Sequence, residues 1–176
     1  MREKRFILSV CFLIILFCKI GSAQSLQVGV FNVNGVVYKV DKIANNTDTV
    51  VIPRDLVLQP DNPITVNGIP TEILIEGIIV NRDDGWFKYA KETHSASRIS
   101  QLKANNDWIR FHYWLKSDGT CYYGSFNLKN ASSLTITEIA KMYMHIKSNF
   151  KPFLMSPDAR HLQLNSIPVD GGIQDF

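Results

Sequence analysis

The sequence predicts an α+β fold: a mostly antiparallel curved β-sheet of hairpins with one amphipathic C-terminal helix packed on it. Three observations carry that reading. Asn34-Gly35, Asn67-Gly68 and Asp118-Gly119 each sit between short runs of β-branched or aromatic residues, the pattern of tight hairpin turns. The stretch from Asp107 to Leu128 sorts into an apolar and a polar-aromatic set when it is folded about the last of these dipeptides. From Leu134 to Phe150 the apolar spacing changes to steps of three and four, which is the helical period.

Taken in order, the chain opens with Met1 to Arg5, basic on balance, then the apolar run Phe6 to Cys18, then small residues at Gly21, Ser22 and Ala23. This is the pattern of a secretory signal peptide over residues 1–23, cleaved after Ala23. The apolar run is shorter than the roughly 18 to 20 residues that span a bilayer. The expectation is a secreted or periplasmic protein with no stable membrane anchor after cleavage, and a single β-rich globular domain over residues 24–176. Cleavage would remove four of the 19 Lys/Arg and one of the 16 Asp/Glu. The remainder is formally neutral, so there is no argument for nucleic acid, which calls for a basic patch or stripe. Of the three cysteines, Cys11 and Cys18 lie in the signal. Cys121 is left without an intrachain partner and reads as a small semi-buried filler, with a reactive or intermolecular thiol as the alternative. Asn45 and Asn130 head glycosylation sequons that matter only in a eukaryotic host.

Gln27 to Val40 predicts a hairpin pairing Val33 with Val36 and Phe31 with Tyr38. Asp41 to Asp48 is a polar loop, Thr49 to Ile52 a short strand, and Arg54 to Asn62 irregular. Ile64 to Ile69 predicts a second tight hairpin, with Pro70 marking an edge position. Glu72 to Asn81 predicts a strand paired with Trp86 to Lys91 across Arg82 to Gly85, setting Val80 against Phe87, Ile78 against Tyr89 and Glu76 against Lys91. Ser97 to Ala104 is ambiguous between a strand and one helical turn.

In the ribbon, a two-residue loop at Asp118-Gly119 pairs Lys116 with Cys121, Leu115 with Tyr122, Trp114 with Tyr123 and His112 with Ser125. One face then holds Ile109, Phe111, Tyr113 and Leu115 beside Tyr122, Phe126 and Leu128. The other holds Arg110, His112, Trp114 and Lys116 beside Cys121, Tyr123, Ser125 and Asn127. A three-residue loop slips the pairing by one and mixes the sets, so burial favours the shorter loop. Thr135 predicts an N-cap, with Glu138 closing a capping box and Leu134 stapled on Ile139. The helix ends near Lys151, before Pro152. Beyond it, Leu162, Leu164 and Ile167 suggest one edge strand ahead of a mobile C-terminal tail.

Little in the sequence points to catalysis. His94, His112, His145 and His161 are widely spaced, and no CxxC, nucleophile elbow or phosphate-binding loop occurs, so no metal site and no cofactor is expected. Asp83-Asp84 belongs to a turn. The nearest nucleophile and base are Ser125 and His112, facing each other with Cβ atoms about 5 Å apart, but neither an orienting acid nor oxyanion donors are visible. The face of Arg110, His112, Trp114, Tyr123, Ser125 and Asn127 suits a protein, peptide or carbohydrate ligand. Its rings offer flat apolar area, and its polar edges fix orientation. The leading expectation is therefore a non-catalytic exported binding protein using this aromatic-polar sheet face. One alternative is a small-ligand carrier whose sheet closes into a barrel around the same residues; another is a hydrolase using His112 and Ser125.

Overall fold

The structure is a computed structural model that describes residues 26–43, 48–54, 61–81 and 85–176. The signal, the Asn45 sequon and the Arg82–Asp84 turn lie outside the described residues. The main sheet has six antiparallel strands in the order β1-β2-β3-β8-β7-β10. Its members are β1 (Gly29–Val33), β2 (Val36–Lys42), β3 (Asp48–Pro53), β7 (Trp108–Leu115), β8 (Cys121–Lys129) and β10 (Ile167–Asp175). Two small ribbons accompany it: β4 (Thr65–Val66) with β5 (Ile69–Pro70), and β6 (Ile79–Asn81) with β9 (Phe153–Met155).

The first hairpin has the expected register, Val33 opposite Val36 and Phe31 opposite Tyr38. Asn34 and Gly35 both take positive φ, 53° and 83°, as a type I′ turn requires. Asn67-Gly68 repeats this with 50° and 81°.

The central ribbon reaches the expected faces by a different route. Its loop is the three-residue one. Lys116 N donates to Thr120 O and Gly119 N to Lys116 O, both at 2.9 Å, and of the loop residues only Gly119 takes positive φ. A bulge then absorbs Tyr122: Leu115 pairs with Cys121, but Trp114 pairs with Tyr123 and His112 with Ser125. One extra residue in the loop and one extra in the strand restore the side-chain alternation. The bulge corrects two placements, because Cys121 turns into the core at 3 % exposure while Tyr122 leaves it half-buried.

The apolar face is closed by helix α4 (Ile136–Asn149), which begins with the anticipated capping box between Thr135 and Glu138. Tyr143 of α4 meets Tyr38 edge-on at 6.2 Å, and Phe150 meets Tyr113 at 5.3 Å. Phe111 sits centrally, stacked on Phe126 at 4.6 Å and on Tyr113 at 5.3 Å, with Trp86 at 5.5 Å. Its ring lies across Gly124. A Cβ there would come within 2.1 Å of Phe111 Cζ.

The segment between β5 and β7 departs from expectation. Glu72 to Asn81 is not one strand: Thr71–Glu76 forms helix α1, and β6 pairs with β9 rather than with the following segment. Gly85–Glu92 forms helix α2 and buries Trp86 and Ala90, a four-residue step that belongs to a helix. Thr71 and Leu74, three apart, are likewise the buried residues of α1. Packing on the existing core overrides the β preference of Ile73, Ile75 and Trp86. Ala96–Ala104 is helix α3, capped by Ser95 Oγ accepting from Arg98 N. Arg98 then grips Glu138 of α4 through Nε at 2.7 Å and Nη2 at 3.1 Å, joining two helices at a cap.

The C-terminal stretch, expected to be mobile beyond one short strand, pairs with β7 from Ile167 to Asp175. Phe176 N donates to Asp107 O, and the Phe176 ring packs on Phe87 and His94. Burial pushes the His94 imidazole below its ordinary value of 6.5, outweighing the Ala90 carbonyl and Glu138 that pull it up.

Two predictions follow from this packing. Gly124→Ala should cost about 1–3 kcal/mol in urea unfolding, through overpacking against Phe111. Because His94 resists protonation when folded, the unfolded chain takes up that proton first as pH falls below 6.5. Stability should therefore decline as pH falls through 6.5 toward the lower folded-state value, and His94→Leu should flatten that part of the urea-midpoint profile.

Candidate functional site

All six residues singled out in the sequence lie on one face of the sheet, as three successive rungs of the β7–β8 ladder. Arg110 faces Asn127, His112 faces Ser125, and Trp114 faces Tyr123. They share a face because strand side chains alternate, and the phase is set by the burial of Ile109, Phe111, Tyr113 and Leu115 on the other side, each at 1 % exposure or less. The rings of Trp114 and Tyr123 are 5.1 Å apart and inclined at 47°. Trp114 is half-buried and Tyr123 more so, at 9 % exposure. The platform is thus the indole with the phenol tucked beside it, rather than two open rings.

The third strand of the site was missed. Residues 170–172 carry turn chemistry in sequence, and that signal masks their place in β10. Asp170 stands opposite His112 and Pro168 opposite Trp114; a bulge at Gly171-Gly172 then sets Ile173 opposite Arg110. Asp170 Oδ2 accepts from Arg110 Nη2 at 2.9 Å, and its Oδ1 accepts from Gly172 N at 2.9 Å. Partial burial raises the Asp170 carboxyl. The Gly172 amide and the Arg110 and His112 charges more than offset this and leave it below the ordinary carboxylate range. Arg110 is held in a fixed pose by this pair, and its Nε is buried without a partner among the described residues.

Ser125, His112 and Asp170 therefore lie in one row across three strands. His112 Nδ1 is 3.9 Å from Asp170 Oδ1, beyond hydrogen-bond reach, and the carboxylate is already engaged by Arg110 and Gly172. The acid that a serine hydrolase needs is nearby but committed to another partner.

Cys121 faces away from this surface. Its Sγ donates to Tyr123 O at 3.6 Å, and burial pushes the thiol up to about 12. His145 of α4 places Nε2 3.0 Å from Glu92 Oε2. Among the described residues no group of three or more His, Cys, Asp or Glu is placed to hold a metal ion, and no helix is long and apolar enough to cross a membrane.

No family model matches the chain, and no curated protein matches it. In fold it is similar to the crystal structure of a DUF5043 family protein from Bacteroides uniformis. The TM-score is 0.63 over 85% of each chain, at 11% sequence identity. The likeness defines the architecture.

Since the thiolate is the reactive form, Cys121 should be inert to dithiobis-nitrobenzoate in the native protein and react promptly in urea. Rapid stoichiometric labelling of folded protein would count against its placement in the core.

Proposed function

We propose that the protein is an exported, non-catalytic binding protein whose aromatic-polar sheet face engages a protein, peptide or carbohydrate partner. The observation that supports this reading is the division of labour between the two faces of β7 and β8. Helix α4 takes the apolar face, while the side chains of Arg110, His112 and Asp170 keep 36%, 31% and 49% of their surface exposed on the other. Trp114 contributes the flat area for contact. The Arg110–Asp170 pair supplies fixed polar groups at its margin, with the Asn127 and Ser125 side chains on the same face. Preorganisation of this kind reduces the ordering cost of association.

The carrier reading has less support. Among the described residues the main sheet ends at β1 and β10, which do not pair with each other, and this favours an open face over a closed barrel. For the hydrolase reading, the Asp170 carboxylate across from His112 is engaged by Arg110 and the Gly172 amide.

The test is a calorimetric screen of the mature protein against oligosaccharide and peptide panels, repeated with Trp114→Ala and Arg110→Ala. An aromatic anchor at the centre of an interface is expected to cost about 2 kcal/mol or more when truncated. The urea midpoint should move little. Ligands that bind both variants as well as the parent protein would place recognition elsewhere, and ester turnover lost on Ser125→Ala would favour the hydrolase.

A further inference from the structure

The two ends of the main sheet are built differently. At one end β10 carries the devices that keep an edge strand from pairing further. Pro168 has no N–H to give, Asp170 is an acid, and the ladder shifts register between Asp170 and Ile173. At the other end β1 has none of these. All five of its residues pair with β2 without a shift, it contains neither a proline nor a charge, and among the described residues no strand pairs with its outer side. Val28 and Val30 keep 58% and 69% of their surface exposed there.

The hairpin register identifies the open backbone groups. Val33 and Val36 close the two-residue turn as a hydrogen-bonded pair, so bonded pairs continue at every second residue, Phe31 with Tyr38 and Gly29 with Val40. Val30 and Asn32 therefore turn their N–H and C=O groups away from β2. The same alternation holds one strand further in, where the carbonyl of Val37, opposite Asn32, accepts from Arg54 N at 2.6 Å on the side away from β1. Only an extended chain laid beside β1 can take up all four groups at once.

We propose that this chain is β1 of a second copy, paired antiparallel about a two-fold axis through Phe31 so that two six-stranded sheets become one. That axis sets Val30 against Asn32 of the second copy, and Asn32 against its Val30, using every open group on both strands. It also brings the two Phe31 rings together, a favourable cross-strand pair. Charge permits the self-pairing: Gln24 to Tyr38 carries none, and Lys39, opposite Val30 on β2, is held by Asp41 at 2.5 Å. Five residues of edge cover about 17 Å, less than a standard interface provides, so the dimer forms reversibly. Three strands separate β1 from β7, so pairing leaves Arg110 and Trp114 free and stands or falls apart from the binding reading.

The test is sedimentation equilibrium of the mature protein, with two double variants that differ only in the sign at residue 30. In Val30→Lys with Asn32→Asp, opposite charges face each other across the axis; in Val30→Glu with Asn32→Asp, like charges do. Asp in place of Asn32 retains the side-chain oxygen that accepts from Gly35 N, and matching far-UV spectra secure the comparison. The parent is expected to show a reversible monomer–dimer equilibrium with Kd on the order of 100 µM. The Lys/Asp variant should associate within about threefold of the parent, and the Glu/Asp variant at least about tenfold more weakly. The amides of Val30 and Asn32 should exchange more slowly at high than at low protein concentration. The proposal is overturned by a parent that stays monomeric up to about five times that Kd, even if an added extended peptide protects these amides. It is equally overturned by two double variants that associate alike, or by association that Trp114→Ala abolishes and the sign at residue 30 does not affect.

Discussion

The Phe111 ring lying across Gly124 is the contact on which the rest of the structure depends. It fills the space a side chain at residue 124 would need, and it stacks on Phe126 and Tyr113 with Trp86 tilted against it. Phe111 can occupy this position only if it points to the same side as Ile109, Tyr113 and Leu115. Its burial therefore settles the phase of the whole strand, and a slip of one residue would send the ring into solvent. Against that cost, the chain accepts a longer loop at Ser117–Gly119 and an unpaired Tyr122 in β8.

The outer face inherits its geometry from this arrangement. Once Phe111 and Tyr113 are inward, Arg110, His112 and Trp114 must be outward, and the ladder brings Asn127, Ser125 and Tyr123 opposite them. What turns a row of half-exposed side chains into a fixed surface is β10. Its Asp170 holds Arg110, and its Gly171-Gly172 bulge both supplies the amide that steadies Asp170 and makes room for Trp86 on the far side. One irregularity in an edge strand thus shapes both faces of the sheet at that edge.

The helical layer is tied down at polar joints. Glu138 closes the cap of α4 and receives Arg98 of α3. Asp107, at the entrance to β7, accepts from Ser133 N and Oγ on the approach to α4. These pairs set where α3 and α4 begin relative to the sheet, while the aromatic contacts of Tyr143 and Phe150 supply the burial.

Local chemistry was enough to read the Asn34-Gly35 and Asn67-Gly68 turns, the α4 helix with its Thr135–Glu138 cap, and the two faces of the central ribbon. Each depends on neighbours a few residues apart or on a strict alternation. The loop length at Asp118-Gly119 was not legible, because two compensating insertions leave the same faces beyond Cys121 and Tyr122. Nor were α1 and α2: Glu72 to Glu76 and Trp86 to Lys91 are short and apolar enough to serve either period, and contact with the core decides between them. Asp170 illustrates the same limit in the site. By itself the sequence determined that Arg110, His112 and Trp114 share a surface, since alternation within one strand requires it. Only tertiary structure decided that Asp170 joins them, because β10 pairs with β7 across about fifty residues of chain, and no local signal records which distant strand completes a sheet.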